Sequence, residues 1–252
     1  MIQAERIAVI QELLNENGFV SVDDLVSRLN VSPMTVRRDL DVCHKAGLLV
    51  RCHGGASLKE KSITEIPYQD KSKLNIEEKE RIAKAAASLV SENDSIYLDA
   101  GTTCLEIARN IIHISGIKVA TNDLEIALYL TNNNVEVFVP GGVIQKSSKS
   151  ILGESVTETV RDMSFSIAFI GTACINNEWE VMTPTMDKVY LKQIITNRSS
   201  SCYLVADSSK FHKQAMYKIN SLNDYTSVIT TYEFTTSEET IVNEEGIHII
   251  KA

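Results

Sequence analysis

The sequence predicts two folds in tandem: a winged helix-turn-helix, three helices plus a β-hairpin wing, over residues 1–58, and a larger α/β domain with a mainly parallel sheet over 76–252. Three observations predict it. Three short apolar-periodic helices are followed by a Gly-Gly hairpin; a polar, proline-containing stretch (59–75) follows that; and the remainder alternates strand and helix. With 252 residues and 44% hydrophobic content the chain can bury a core in each part.

The first helix is read over residues 5–16, where Ile7, Ile10, Leu13 and Leu14 share a face and Asn17-Gly18 ends the pattern. Ser21-Val-Asp-Asp24 reads as a capping box that opens a second helix with Val22, Leu25, Val26 and Leu29 inward. Ser32-Pro33 supplies an N-cap and a first-turn proline, so a third helix runs from Pro33 to about Ala46 and stops at Gly47. At roughly 100° per residue, Val36, Leu40 and Cys43 face inward, Met34, Arg38 and Lys45 face outward, and Thr35 and Arg37 flank that outward stripe. Residues 48–53 and 56–58 read as two strands joined by a turn at Gly54-Gly55.

Beyond the linker, helices are expected at 77–90, 102–111, 124–130, 154–161 and 186–198. Strands are expected at 95–99, 118–121, 135–139, 167–170 and 202–206, with C-terminal strands near Val228 and Ile247.

The net charge is −8, yet residues 32–59 gather Arg37, Arg38, Lys45, Arg51 and Lys59 against only Asp39 and Asp41, with His44 and His53 beside them. An acidic chain can own one basic face. Read for chemistry, Arg38, Thr35 and Met34 are placed to meet base edges in the major groove, and Ser32, Arg37 and Arg51 to meet phosphates. Lys45, His53, Gly54 and Gly55 complete the candidate DNA surface. The alternative is that Arg37 and Arg38 pair with Asp41 or Glu16 on a solvated face. No apolar run is long enough to span a bilayer, and the charged start is unlike a secretory signal, so a cytoplasmic protein without a membrane partner is expected. The five scattered cysteines suit buried thiols, and Cys43-His44 with Cys52-His53 lacks the spacing of a zinc site, so neither a metal nor a cofactor is expected.

In the second domain, Asp99-Ala-Gly-Thr-Thr103 ends a strand and starts a helix, where Gly101, Thr102 and Thr103 could hold an anion or act simply as a cap. Other polar strand ends, Thr121-Asn122, Pro140-Gly141-Gly142 and Asp207-Ser-Ser209-Lys210, would share its sheet edge. Trp179 could stack on a ligand, though a partly buried surface aromatic is the plainer reading.

"RIAVIQELL", "VSPMTVRRDLD" and "GLLVRCHGGA" resemble the N-terminal signature of the DeoR family of bacterial transcriptional regulators; "DAGTT", "ATND", "PGG", "FIG" and "DSSKF" resemble its sensor domain. The resemblance implies that "TVRRDL" reads an operator and that the second domain is similar in fold to ribose-phosphate isomerases and CoA transferases. It also implies a phosphorylated sugar or related effector. Carried over, Gly101, Thr102, Thr103 and Lys210 would hold phosphate and Asp99, Asn122 and Gly141 would line the sugar side, with Thr121, Gly142, Gly171, Asp207 and Ser209 around them. The family often has aspartate where Ser166 stands and a glycine-containing loop in place of 175–180. A repressor working as a dimer or tetramer on double-stranded operator DNA is the expectation. The rival is a sugar-phosphate isomerase-like enzyme carrying a DNA-binding head, with Asp99 or Glu106 as its base.

Overall fold

The computed structural model describes residues 2–52, 54–57 and 63–252. Its head comprises α1 (Gln3–Asn17), β1 (Phe19–Ser21), α2 (Val22–Leu29), α3 (Pro33–Lys45), β2 (Val50–Cys52) and β3 (Gly55–Ser57). The caps follow the local chemistry. Gly18 adopts φ 73° and donates its amide to Leu14 O at 2.8 Å to stop α1, while Ser21 and Ser32 accept the amides of Asp24 and Thr35 to start α2 and α3. Ile10, Leu14, Leu25, Val36, Leu40, Cys43 and Leu49 form one buried cluster, as the helical spacing requires.

Two features of the head differ from expectation. Strand β1, too short for a periodic signal, lies antiparallel to β3, which also pairs with β2. Cys52 pairs with Gly55, so Gly55 is a strand residue and not part of the turn. Gly54 takes φ 75°, whereas Gly55 is a glycine for closeness: a Cβ there would stand 2.1 Å from Val20 O and 2.9 Å from the Phe19 ring. His53 lies outside the described residues, as do 58–62 of the expected hairpin end and linker.

The later part of that linker is packed against the α/β domain. Ile63 donates to Gln214 O, Tyr68 donates to Ser147 O, and α4 (Tyr68–Lys71) buries Tyr68. There follow α5 (Ile76–Ala87), β4 (Ser95–Leu98), α6 (Thr102–Ile111), β5 (Lys118–Thr121), α7 (Leu124–Asn132), β6 (Glu136–Phe138), β7 (Val143–Gln145), β8 (Ser150–Leu152), α8 (Glu154–Arg161), β9 (Phe165–Gly171), β10 (Cys174–Ile175), β11 (Glu180–Thr183), α9 (Met186–Arg198), β12 (Ser199–Ala206), β13 (Tyr217–Ser221), β14 (Ser227–Thr230), α10 (Thr236–Glu244) and β15 (Ile249–Lys251).

Seven strands form a parallel sheet in the order β15-β14-β12-β9-β4-β5-β6. Alternate residues feed opposite layers: Ile96, Leu98, Ile167 and Phe169 enter one core, and Tyr97, Ala168 and Ile170 the other. The chain runs outward from β4 through β5 to β6, then returns to place β9 on the other side of β4. The switch point therefore lies between β4 and β9, where an open α/β sheet leaves a crevice at its carboxyl edge.

Around this sheet the structure adds the hairpin β7-β8, the antiparallel sheet β10-β11-β13 and helix α10, none of them expected from the sequence. Helix α10 did carry a signal, since Thr235 and Glu238 form a capping box. Trp179 is not a surface aromatic: it is 2% exposed, sits at φ 58° and packs in the core beside Phe234 and His212.

Candidate DNA surface and effector pocket

Helix α3 is clamped to the head by a residue that sequence reasoning passed over. Asp39, buried in the middle of "VRRDLD", accepts from Arg6 Nε at 2.6 Å and Gln3 Nε2 at 2.8 Å. Burial pushes its carboxyl up, but hydrogen bonds from Arg6 and Gln3 outweigh that and hold it below the usual range. With Asp39 turned inward, Met34, Arg37, Arg38 and Lys45 are left exposed on the opposite face.

Neither Arg37 nor Arg38 forms an ion pair among the described residues, and Asp41 pairs with Arg51 instead, at 3.1 Å. The Glu16 side chain lies outside the described set. Arg51 also donates to Gly55 O at 3.3 Å, so its guanidinium is engaged within the wing. The Ser32 and Thr35 hydroxyls lie 2.9 Å from each other at the helix start. Gly55 is buried, and the Gly54 turn abuts Ser237 of α10. The exposed cationic stripe on α3 is thus the part of the candidate surface free to meet DNA. Cys43 is in the core while His44 is exposed, with Nδ1 3.3 Å from Leu49 O, so this Cys-His pair does not converge.

The crevice at the sheet switch point is a cavity of about 360 Å³. Of the sequence-predicted effector residues, Asp99, Thr102, Thr103, Asn122, Gly171, Asp207, Ser209 and Lys210 line it. Gly101, Thr121, Gly141 and Gly142 do not. The Gly101 amide is taken by Asp123 Oδ2 at 3.0 Å, the Thr121 hydroxyl accepts the Asp123 amide, and the Gly141 carbonyl accepts from Ser155. Gly142 is a close-packing glycine, because a Cβ there would meet Leu152 O and Val156 at 2.6 Å. Helix α6 opens beside the cavity without a side-chain cap, leaving first-turn amides available to an anion.

Sequence reasoning missed most of the charge. Besides Lys210, the cavity is lined by Lys71, Lys79, Lys188, Lys192 and Lys213, against the carboxylates of Glu65, Asp99 and Asp207. Glu65 bridges Lys71 at 2.5 Å and Lys188 at 2.7 Å. Asp207 accepts from Asn75 at 2.8 Å and from Ser209, and stands 3.9 Å from Lys210. At the floor, Lys192 donates to both Asp99 and Gly171 O, and Asp99 also accepts the Gly171 amide at 3.0 Å. The carboxylate that would repel a phosphate is thereby neutralised.

Burial holds the ammonium groups of Lys79, Lys188 and Lys210 below the usual lysine range. Neighbouring lysines push the same way, and the nearby carboxylates only partly offset them. A cavity whose cations are crowded in this manner is stabilised by a bound anion.

A signal for two of these lysines exists in the sequence. Lys79 stands at helical spacing from Ile82, Ala83 and Ala86, and Lys192 from Val189 and Ile195, all buried. A lysine on an apolar stripe must reach a polar interior. Lys79 does so by donating to Lys71 O and Leu74 O, each at 2.5 Å. The two residues weighed as an enzymatic base have other roles: Asp99 is held in its ion pair, and Glu106 pairs with Arg109 at 2.9 Å and does not line the cavity.

Comparison with known proteins places both parts of the chain in one family. Residues 6–62 match the model of the DeoR-like helix-turn-helix domain, and residues 74–232 match that of the DeoR C terminal sensor domain. A Haemophilus influenzae HTH-type transcriptional regulator is 38% identical, over 91% of this chain and 90% of its own. The glycerol-3-phosphate regulon repressor of Escherichia coli is 30% identical over 91% of both chains. The lactose phosphotransferase system repressor of Staphylococcus aureus is 33% identical, over 94% of this chain and 95% of its own. Among solved structures, ribose 5-phosphate isomerase A of Methanocaldococcus jannaschii aligns at 14% identity and TM-score 0.41, over 54% of this chain and 55% of that one. Among the described residues no helix is long and apolar enough to cross a membrane. With a helix-turn-helix head, a sensor domain, and relatives that are regulators rather than enzymes, the chain belongs to the DeoR family of transcriptional regulators.

Proposed function

We propose that the protein is a cytoplasmic repressor of a carbohydrate operon whose α3 stripe binds double-stranded operator DNA and whose cavity binds a phosphorylated sugar. The observation that carries this reading is the lysine-lined crevice at the β4-β9 switch point, open to the uncapped start of α6. Lys210 and Lys213, with the first-turn amides at Thr102 and Thr103, take the phosphate; the neutralised Asp99-Lys192 pair and Asn122 meet hydroxyls. The names of two relatives, repressors of a glycerol-3-phosphate regulon and of a lactose phosphotransferase system, support the ligand class. Met34, Thr35 and Arg38 read bases while Arg37 and Lys45 hold phosphates. A homodimer or tetramer presents two heads at half-site spacing.

The test is a thermal-shift screen of sugar phosphates against their unphosphorylated parents, followed by operator binding with any stabilising compound. A ligand that binds only the native state raises the melting temperature. Stabilisation by phosphorylated compounds alone, with a changed affinity for the operator, is the expected result. Equal response to the parent sugars would sink the phosphate assignment.

A further inference from the structure

The segment leaving β12 serves two masters. Asp207, Ser209, Lys210 and Lys213 face the effector cavity, while between them His212 reaches the head, stacking its imidazole on Phe19 of β1 with centroids 3.9 Å apart and planes 8° from parallel. His212 is 9% exposed and held from every side. Nδ1 is 2.8 Å from Asn177 Oδ1, and Nε2 is 2.6 Å from the Tyr232 hydroxyl and 3.0 Å from the fully buried Glu238 carboxylate. Asn177 in turn donates to Ser57 of β3 at 3.1 Å. His212 therefore ties one face of the wing sheet to the sensor domain, directly at Phe19 and through Asn177 at Ser57, the residue opposite Phe19 in the β1-β3 register.

Its backbone is strained to do so. His212 sits at φ 58°, a left-handed conformation a histidine keeps only where its surroundings over-determine it. The residues flanking the pocket side of this strained position carry the ammonium groups that crowd the cavity, and Lys213 N donates to Ile175 O on the sheet that also bears Asn177's loop. His212 lies between Lys210 and Lys213 in the chain, so a backbone shift that carries these lysines toward an anion passes through the residue that holds Phe19. In the arrangement seen, the Gly54 turn is pressed against Ser237 and the β1-β3 face is covered, so release of His212 alters how the wing is presented.

Resting on the sugar-phosphate reading of the cavity, we infer that His212 is a positioning residue that latches the winged head onto the sensor domain, and that anion binding at Lys210 and Lys213 springs this latch. It binds neither DNA nor effector. Its action is to make the docked head and the empty cavity the same state, so that occupancy of one is linked to release of the other.

Trp179, the one tryptophan of the chain, lies edge-on to His212 at 6.1 Å and reports on the latch. The experiment measures acrylamide quenching of its emission in the full-length protein during titration with inorganic phosphate, alongside the melting temperature. The proteins compared are wild type, His212→Asn and Phe19→Leu. Asparagine tolerates the left-handed backbone but lacks the stacking ring, and Phe19→Leu breaks the stack from the head side should the first variant fail to fold.

The expected result is a phosphate-dependent rise in both melting temperature and quenching for wild type. In the variants, quenching is already several-fold higher without phosphate and unresponsive to it, while the rise in melting temperature persists. Wild type stabilised by phosphate with unchanged quenching, or variants that respond as wild type does, would overturn the latch and leave the anion site standing. Absence of stabilisation at any phosphate concentration would remove the anion site, and the coupling with it.

Discussion

Replacing Lys192 by methionine tests the floor of the lysine-lined cavity most directly. The side chain is 8% exposed and its partner Asp99 2%, and methionine keeps most of the volume while deleting the ammonium. Asp99 is then left with the Gly171 amide as its one remaining hydrogen-bond donor of the two described. Removing one partner of a buried ion pair costs about 3–5 kcal/mol, because the other charge stays desolvated. For a domain of this size that is a fall in melting temperature of roughly 6–20 °C.

Combining the change with Asp99→Asn should recover stability to within about 1 kcal/mol of wild type, since the asparagine oxygen still accepts the Gly171 amide. Circular-dichroism melts of the wild type, the two single variants and the double variant provide the assay. A Lys192→Met loss under about 1 kcal/mol, or a double variant no more stable than the single, would refute the argument that the pair is neutralised as a unit.

Arg38→Ala should cost about 1–3 kcal/mol on the operator and relax its specificity, measured by titration against single-base operator variants. Arg37→Ala should weaken binding evenly across sequences and flatten the salt dependence by about one unit of slope; an uneven loss would exchange the two roles. Gly55→Ala, whose Cβ would collide with Val20 O, should abolish DNA binding while leaving the main melting transition of the α/β domain in place, as followed by calorimetry. Burial raises the carboxyl of Asp123 to about 6, only partly opposed by the amides it caps. A carboxyl raised on folding favours the folded state in its protonated form, so this group adds stability as pH falls from about 6 toward 4 and withdraws it as pH rises through 6, by about 2–3 kcal/mol in all. Urea midpoints at pH 7 and 5 should differ less in Asp123→Asn than in wild type, and an equal difference would refute the assignment.

The head was nearly all legible because its signals are local. Ser32-Pro33 starts a helix wherever the chain goes, Gly18 stops one, and Val36, Leu40 and Cys43 can share only one face of α3. Strand β1 escaped because three residues carry no period, and Gly55 looked like a turn glycine because the ring that forbids its side chain, Phe19, is distant in the chain. In the sensor domain, three of the four strand ends read from their polar residues converge, at Asp99, Asn122 and Asp207, since a parallel sheet sends its carboxyl ends to one edge; Pro140-Gly141-Gly142 stays outside the cavity, and Gly171 was implied only by the family resemblance.

The sequence by itself determined two domains, the orientation of the α3 stripe and the edge of the sheet where a ligand would sit, all of which follow from spacing along one helix or one strand. Only the tertiary structure decided which charges meet: Asp39 with Arg6, Asp41 with Arg51, Asp99 with Lys192, and His212 with the ring of Phe19. These partners lie far apart in the chain or on different elements. The physical reason is that a charge or ring on one element fixes its own helical face but not what faces it; the partner is set by the packing of whole elements and by the cost of leaving a buried charge alone.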